Sequence, residues 1–134
     1  MANVVNSTVE VTGSRNVIVK WDGILDTALE TNVKKFDVST YTNGEKAVAS
    51  TANIIKVWYD IGVGVDTLSL LFDATGNDEA LILSPGNGFM DFSSFGGIKN
   101  PKSAGYTGDI LMTNTGTVGT DFSYNIVAEL RLKY

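Results

Sequence analysis

The sequence predicts an all-β fold: an antiparallel β-sandwich of about eight strands, with a jelly roll or a closed barrel as candidate arrangements. Two observations predict it. Apolar and polar residues alternate with period two over most of the chain. Clusters of Gly, Asn, Asp and Pro separate the alternating runs at short intervals, in TGSRN, GVGVD, ATGND, PGNG and NTGTVGTD.

Val4 to Val11 reads as a short first strand. In RNVIVKWDGIL, Val17, Val19 and Trp21 fall on one face, with Asn16, Lys20 and Asp22 opposite. Asp26 to Ala52 breaks the rhythm, being mostly polar with scattered apolar residues. It holds a short helix near Thr27 to Lys35, a hairpin around TNGE, or a long loop of the kind that is usually functional or mobile. NIIKVWYDIG then groups Ile55, Val57, Tyr59 and Ile61, and VDTLSLLFDA groups Leu68, Leu70 and Phe72. Ala80 to Leu83, Phe89 to Phe92 and Asp109 to Thr113 are shorter strand candidates. The last strand is the clearest. Phe122, Tyr124, Ile126, Ala128, Leu130 and Leu132 share one face; Asp121, Ser123, Asn125, Glu129, Arg131 and Lys133 share the other, with Val127 out of pattern. That is an antiparallel strand with one wet side.

The 134 residues carry no repeat, low-complexity tract or linker, and are read as one sandwich domain over residues 1–134. The chain has no cysteine, so disulfides and thiolate metal sites are excluded. It has no histidine, which removes the commonest general base and transition-metal ligand. A net charge of −5 argues against nucleic acid as a partner. No apolar run approaches the roughly 20 residues of a membrane helix, so no membrane partner is expected. MANVVNSTVE lacks a cationic n-region and an apolar h-region, so the chain is expected to fold in a cytoplasm.

The candidate chemistry is sparse. A glycosidase needs two carboxylates facing one cleft, and Asp60, Asp73, Asp91 and Glu129 are the candidates. No sequence spacing brings any two of them together, and strand ends for Asp60 and Asp73 and a wet face for Glu129 are the preferred account. DATGNDE resembles a calcium loop but lacks the ligand spacing of one, and reads as a turn between strands. GVGVDT and PGNGFM are not phosphate loops, since neither leads into a helix. No metal, no cofactor and no enzymatic activity are expected.

The unusual stretch is GNGFMDFSSFGGIKNP, Gly86 to Pro101, which sets three phenylalanines, a methionine and an isoleucine among glycines. Its apolar residues either plug one end of the sandwich or face a partner. Glycine permits close backbone approach, and Phe, Met and Tyr are enriched at interfaces. Both hold together if Phe92 turns inward and Phe95, Ile98 and Tyr106 turn outward.

Lys56 to Gly116 carries an aromatic KVWY strand, an LLFDAT strand, the step GNGFMDF, FGGIKNP and a TGDIL strand. With STVEVTGSRNVIVKWDGIL before it and YNIVAELRLK after it, this pattern resembles small tailed-bacteriophage virion proteins of the capsid decoration, or cement, type. Asp26 to Ala52 fits that pattern least. The resemblance implies a non-enzymatic protein made in the host cytoplasm and placed on the capsid exterior. Its partners would be the major capsid protein and further copies of itself, as a dimer or trimer. The implied contact surface comprises Trp58, Tyr59, Phe89, Met90, Phe92, Phe95, Ile98 and Tyr106. The alternative is a carbohydrate-binding or phage tail, receptor-binding β-sandwich module, because sandwiches with exposed Trp and Tyr bind sugars by stacking.

Overall fold

The computed structural model describes residues 3–13 and 15–134. Its strands are β1 (Val4–Thr12), β2 (Asn16–Ile24), β3 (Val33–Phe36), β4 (Thr51–Ile61), β5 (Val65–Phe72), β6 (Asp78–Leu83), β7 (Gly86–Asp91), β8 (Ile110–Gly116) and β9 (Ser123–Lys133). They form two antiparallel sheets, of order β1-β2-β9-β4-β7 and β3-β8-β5-β6. The pairs are nested: β2 with β9, β3 with β8, β4 with β7 and β5 with β6. A long ribbon of paired strands rolled into two sheets gives this nesting, which is the jelly-roll arrangement. β1 is an extra edge strand hairpinned onto β2.

Period-two patterning builds the core. Val17, Val19 and Trp21 of β2 and Tyr124, Ile126, Ala128, Leu130 and Leu132 of β9 are buried against Leu68, Leu70 and Phe72 of β5 and Ile110 and Met112 of β8. Phe122 is also fully buried, but it lies just before β9.

Three expectations need correcting. The helix near Thr27 to Lys35 does not form. Its residues form a bent, irregular segment that leads into β3, because Glu30 pairs with Asn114 through backbone and side chain, and Asn32 adopts a left-handed φ of 50°. Tertiary pairing here outweighs local helix preference. The TNGE alternative has a structural counterpart: a tight turn in which the Asn43 carboxamide accepts from Glu45 N and Ala47 N. The second correction concerns β4. A bulge between Ile54 and Lys56 puts Ile54, not Ile55, in the core row with Val57 and Ile61. Ile55 is buried outside that cluster. Third, the strand expected at Phe89 to Phe92 covers Gly86–Asp91 and leaves Phe92 in the following turn.

Ile126 is fully buried in the central strand of the larger sheet. Ile126→Ala should lower unfolding stability by about 2–5 kcal/mol in denaturant titration. Ile126→Asp should abolish the cooperative transition, because it buries an unpaired charge. A cooperatively folded Ile126→Asp variant would contradict this register.

Candidate binding surface

The outer face of the larger sheet is ordered in rows by strand register. One row runs Phe89, Trp58, Val127, Lys20 and Thr8. The next runs Asn87, Asp60, Asn125, Asp22 and Asn6. Trp58 and Phe89 stack with ring centroids 5.1 Å apart and planes 24° apart. They floor an open trough of about 470 Å³ lined also by Tyr59, Asp60, Asn87, Asn125 and Val127. Within the described residues, the side chains of Asp60, Asn87 and Asn125 make no hydrogen bond. On the third row Lys56 lies between Asp91 and Glu129, so charges of opposite sign alternate there.

The glycines of the unusual stretch have specific tasks. A Cβ on Gly88 would lie 2.6 Å from the Tyr59 hydroxyl, so Gly88 lets that ring lie flat against β7. Gly97 adopts φ 91°, and a Cβ there would lie 2.6 Å from Ile55 Cδ1. The chain after β7 therefore folds tightly back on β4. Phe92 N donates to Ile55 O at 2.8 Å, and Ile98 exchanges both backbone hydrogen bonds with Ile54. A 3-10 turn over Ser93–Phe95 is held by the Asp91 carboxylate, which accepts from Ser93 N at 2.8 Å. The Ser93 hydroxyl first, and then this backbone N–H, hold the Asp91 carboxyl below its ordinary range.

The eight residues expected at an interface divide accordingly. Trp58 and Phe89 form the exposed platform; Tyr59 borders the trough but lies on the other face of β4, opposite Ile126 and Gly88, and packs against the core. Phe95 is exposed on the adjoining turn and meets the half-buried Phe92 edge-on at 6.1 Å. Met90, Phe92 and Ile98 pack against the core, so Ile98 is a half-buried strand-pairing residue and not an outward one. Tyr106 is exposed elsewhere, in a turn bonded to Asp73 and Thr75 at the end of β5.

The carboxylates singled out from the sequence have separate positions. Asp73 accepts from the Thr107 hydroxyl, Asp91 holds its turn, Glu129 faces Lys56, and Asp60 rims the trough. Among the described residues no three acidic groups lie close enough to hold a metal ion.

One polar cluster gave no sequence signal. Glu30 accepts from Lys35 Nζ at 2.7 Å, from the Tyr124 hydroxyl at 2.6 Å and from Asn114 Nδ2 at 3.1 Å. Lys35 also donates to the Tyr124 oxygen at 3.1 Å, and Trp21 Nε1 donates to Lys35 O. All five residues are buried. The cluster ties the segment before β3 to β2, β8 and β9. Its members are scattered in sequence, so no spacing announces it.

Comparison with known proteins adds no family: no family model, curated protein or solved structure matches the chain.

Glu30→Gln leaves the Lys35 ammonium buried without its counter-charge and should cost about 3–5 kcal/mol in chemical denaturation. The cluster also predicts an alkaline limit. Burial, and then the Glu30 carboxylate it faces, push the Tyr124 hydroxyl above its ordinary value near 10. The unfolded chain ionises this tyrosine near pH 10, while the folded chain keeps it protonated. Stability from this group is therefore complete below about pH 10 and is lost as pH rises further. Unfolding titrations from pH 8 to 12 should show that fall, and Tyr124→Phe should flatten part of it.

Proposed function

We propose that the chain is a non-enzymatic capsid decoration, or cement, protein that binds the outer surface of the major capsid protein and braces the shell. The observation that carries this reading is the exposed aromatic side of the larger sheet. Trp58, Phe89 and Phe95 are 38%, 52% and 62% exposed, although the chain buries its other Phe and Trp side chains wholly or in part. Groups of this kind gain free energy only when a partner covers them, at about 25 cal/mol per Å² of apolar area. Their platform is rigid, because it is built on paired strands and on a turn pinned by Gly97 and Asp91. Preorganised aromatics lose little conformational entropy on binding. A shell presents many copies of one contact, so modest affinity at each suffices when copies act together. The net charge of −5 keeps the unattached protein soluble. The resemblance of Lys56 to Gly116 to phage cement proteins supplies the partner.

A second reading is favoured by one arrangement. The Trp58–Phe89 stack lies beside the Asp60, Asn87 and Asn125 side chains, which face solvent without internal partners. An aromatic face flanked by planar polar groups also suits a pyranose ring. On that reading the domain binds a host glycan, as a carbohydrate-binding or receptor-binding module.

Imaging of particles assembled with and without the protein tests the first reading: density on the shell exterior should disappear without it. Trp58→Ala and Phe95→Asp should remain folded by circular dichroism and lose attachment about tenfold or more, as removal of an interface anchor does. If Phe95→Asp unfolds the chain, Phe95 belongs to the core and the platform is smaller than proposed. Glycan-array binding lost in Trp58→Ala and in Asp60→Ala, but kept in Phe95→Asp, would favour the second reading.

A further inference from the structure

We propose that β1 is a self-association strand: two copies join β1 to β1 about a two-fold axis through Ser7, fusing two five-stranded sheets into one. This rests on the sheet edge and not on the capsid reading.

The four open edges of the sandwich are β1 and β7 in one sheet and β3 and β6 in the other. Free edges invite pairing with another chain, and proteins blunt them with charge, proline or short length. Three of these edges are blunted. β3 is four residues long with Lys34 and Lys35, β6 begins with Asp78 and Glu79, and β7 holds two glycines and Asp91. β1 is different. It is nine residues long, and its regular part from Val4 to Val9 contains no charge and no proline. The bulge and Glu10 come only beyond Val9.

The side chains of β1 are also left uncovered. Val5, Ser7 and Val9 pair with Gly23, Trp21 and Val19 of β2, so they point to the core side of the sheet. Those three β2 residues are buried, yet Val5 and Val9 are 39% and 47% exposed. The larger sheet overhangs the smaller one by this strand.

The occupant that fits is a second copy, because the strand is self-complementary. With Ser7 on the axis, Val5 faces Val9 of the other copy and Asn6 faces Thr8, while Ser7 faces itself. Core-side residues meet core-side residues, as antiparallel pairing requires, and the arrangement is isologous. The two Glu10 carboxylates then lie six residues apart along the ribbon, about 20 Å at the strand rise. That exceeds the Debye length of about 8 Å at physiological salt, so their repulsion is screened.

The test uses the whole chain, which has no cysteine of its own. Wild type should sediment at twice the chain mass, and Val9→Lys should sediment as a folded monomer. Ser7→Cys should oxidise to a disulfide-linked dimer, since opposed residues in an antiparallel pair lie at about 4.5–5.5 Å, within disulfide reach. Asn6→Cys, which faces Thr8 in this register, should cross-link far more slowly. A wild-type chain that stays monomeric at the highest concentration it tolerates overturns the proposal. So does an oligomer in which Ser7→Cys fails to cross-link, because another surface then holds the copies.

Discussion

The extra residue in β4, Ile55, decides which side chains of the larger sheet meet solvent. Strand faces alternate strictly, so one inserted residue exchanges them beyond the insertion. In register with β9, Ile54 lies opposite Leu130 and Lys56 opposite Glu129, with Ile55 between them. Because of that insertion Ile54 enters the core in step with Val57 and Ile61, although the two segments are out of phase in sequence. Lys56, Trp58 and Asp60 are then directed to the outer face, beside Asp91, Phe89 and Asn87 of β7. Ile55, left outside the core row, is buried where the chain folds back after β7. The close approach of Gly97 and the Ile54–Ile98 bridge are the local answer to an apolar residue on the wrong side of its strand. The aromatic platform and the glycine-rich turn that frames it thus share one origin.

This also explains what could be read in advance. β2 and β9 were legible because their burial follows simple alternation, and β5 because Leu68, Leu70 and Phe72 keep that alternation beyond its irregular start. The jelly roll was legible only as a candidate, since alternation fixes faces but not neighbours; the nested order emerges from which strands meet. Ile55 was misplaced because a period-two count cannot register a bulge. β3 was missed for a different reason. VKKF is short and cationic, and what holds it extended is distant in sequence: Asp109 accepts from Lys34, and Lys35 is drawn inward by Glu30 and Tyr124. Among the site residues, Trp58, Phe89 and Phe95 could be picked out as large apolar groups on a wet face or an irregular backbone. The half-burial of Ile98, two glycines from the exposed Phe95 in similar surroundings, depends on its backbone pairing with Ile54 and had no local signature.

The buried Glu30 cluster shows how the polar region was reconciled with the core. A Glu–Lys pair inside a sandwich costs desolvation that its mutual attraction offsets only with good geometry and further hydrogen bonds. Here the carboxylate has three donors, from Lys35, Tyr124 and Asn114, and the ammonium has two acceptors. Such a cluster adds little over a well-packed apolar substitute. What it fixes is placement: the segment before β3 can cross the end of the sandwich only where all these partners coincide.

The two apolar features of the larger sheet lie on its opposite edges, β1 on one side and β7 with its turn on the other, with three strands between. Four strand intervals separate the edges, about 19 Å of hydrogen-bonded sheet. On the proposed reading, a contact between copies along β1 therefore leaves the Trp58–Phe89 platform open, and neither contact competes with the other. Pairing two copies also places two platforms on one continuous sheet at a fixed separation. Once one platform is bound, the second faces a correspondingly high effective concentration of sites wherever the lattice matches that separation, and little if it does not. Self-association would thus contribute lattice selectivity as well as affinity, because a spacing set by paired strands cannot stretch to fit a surface with the wrong repeat.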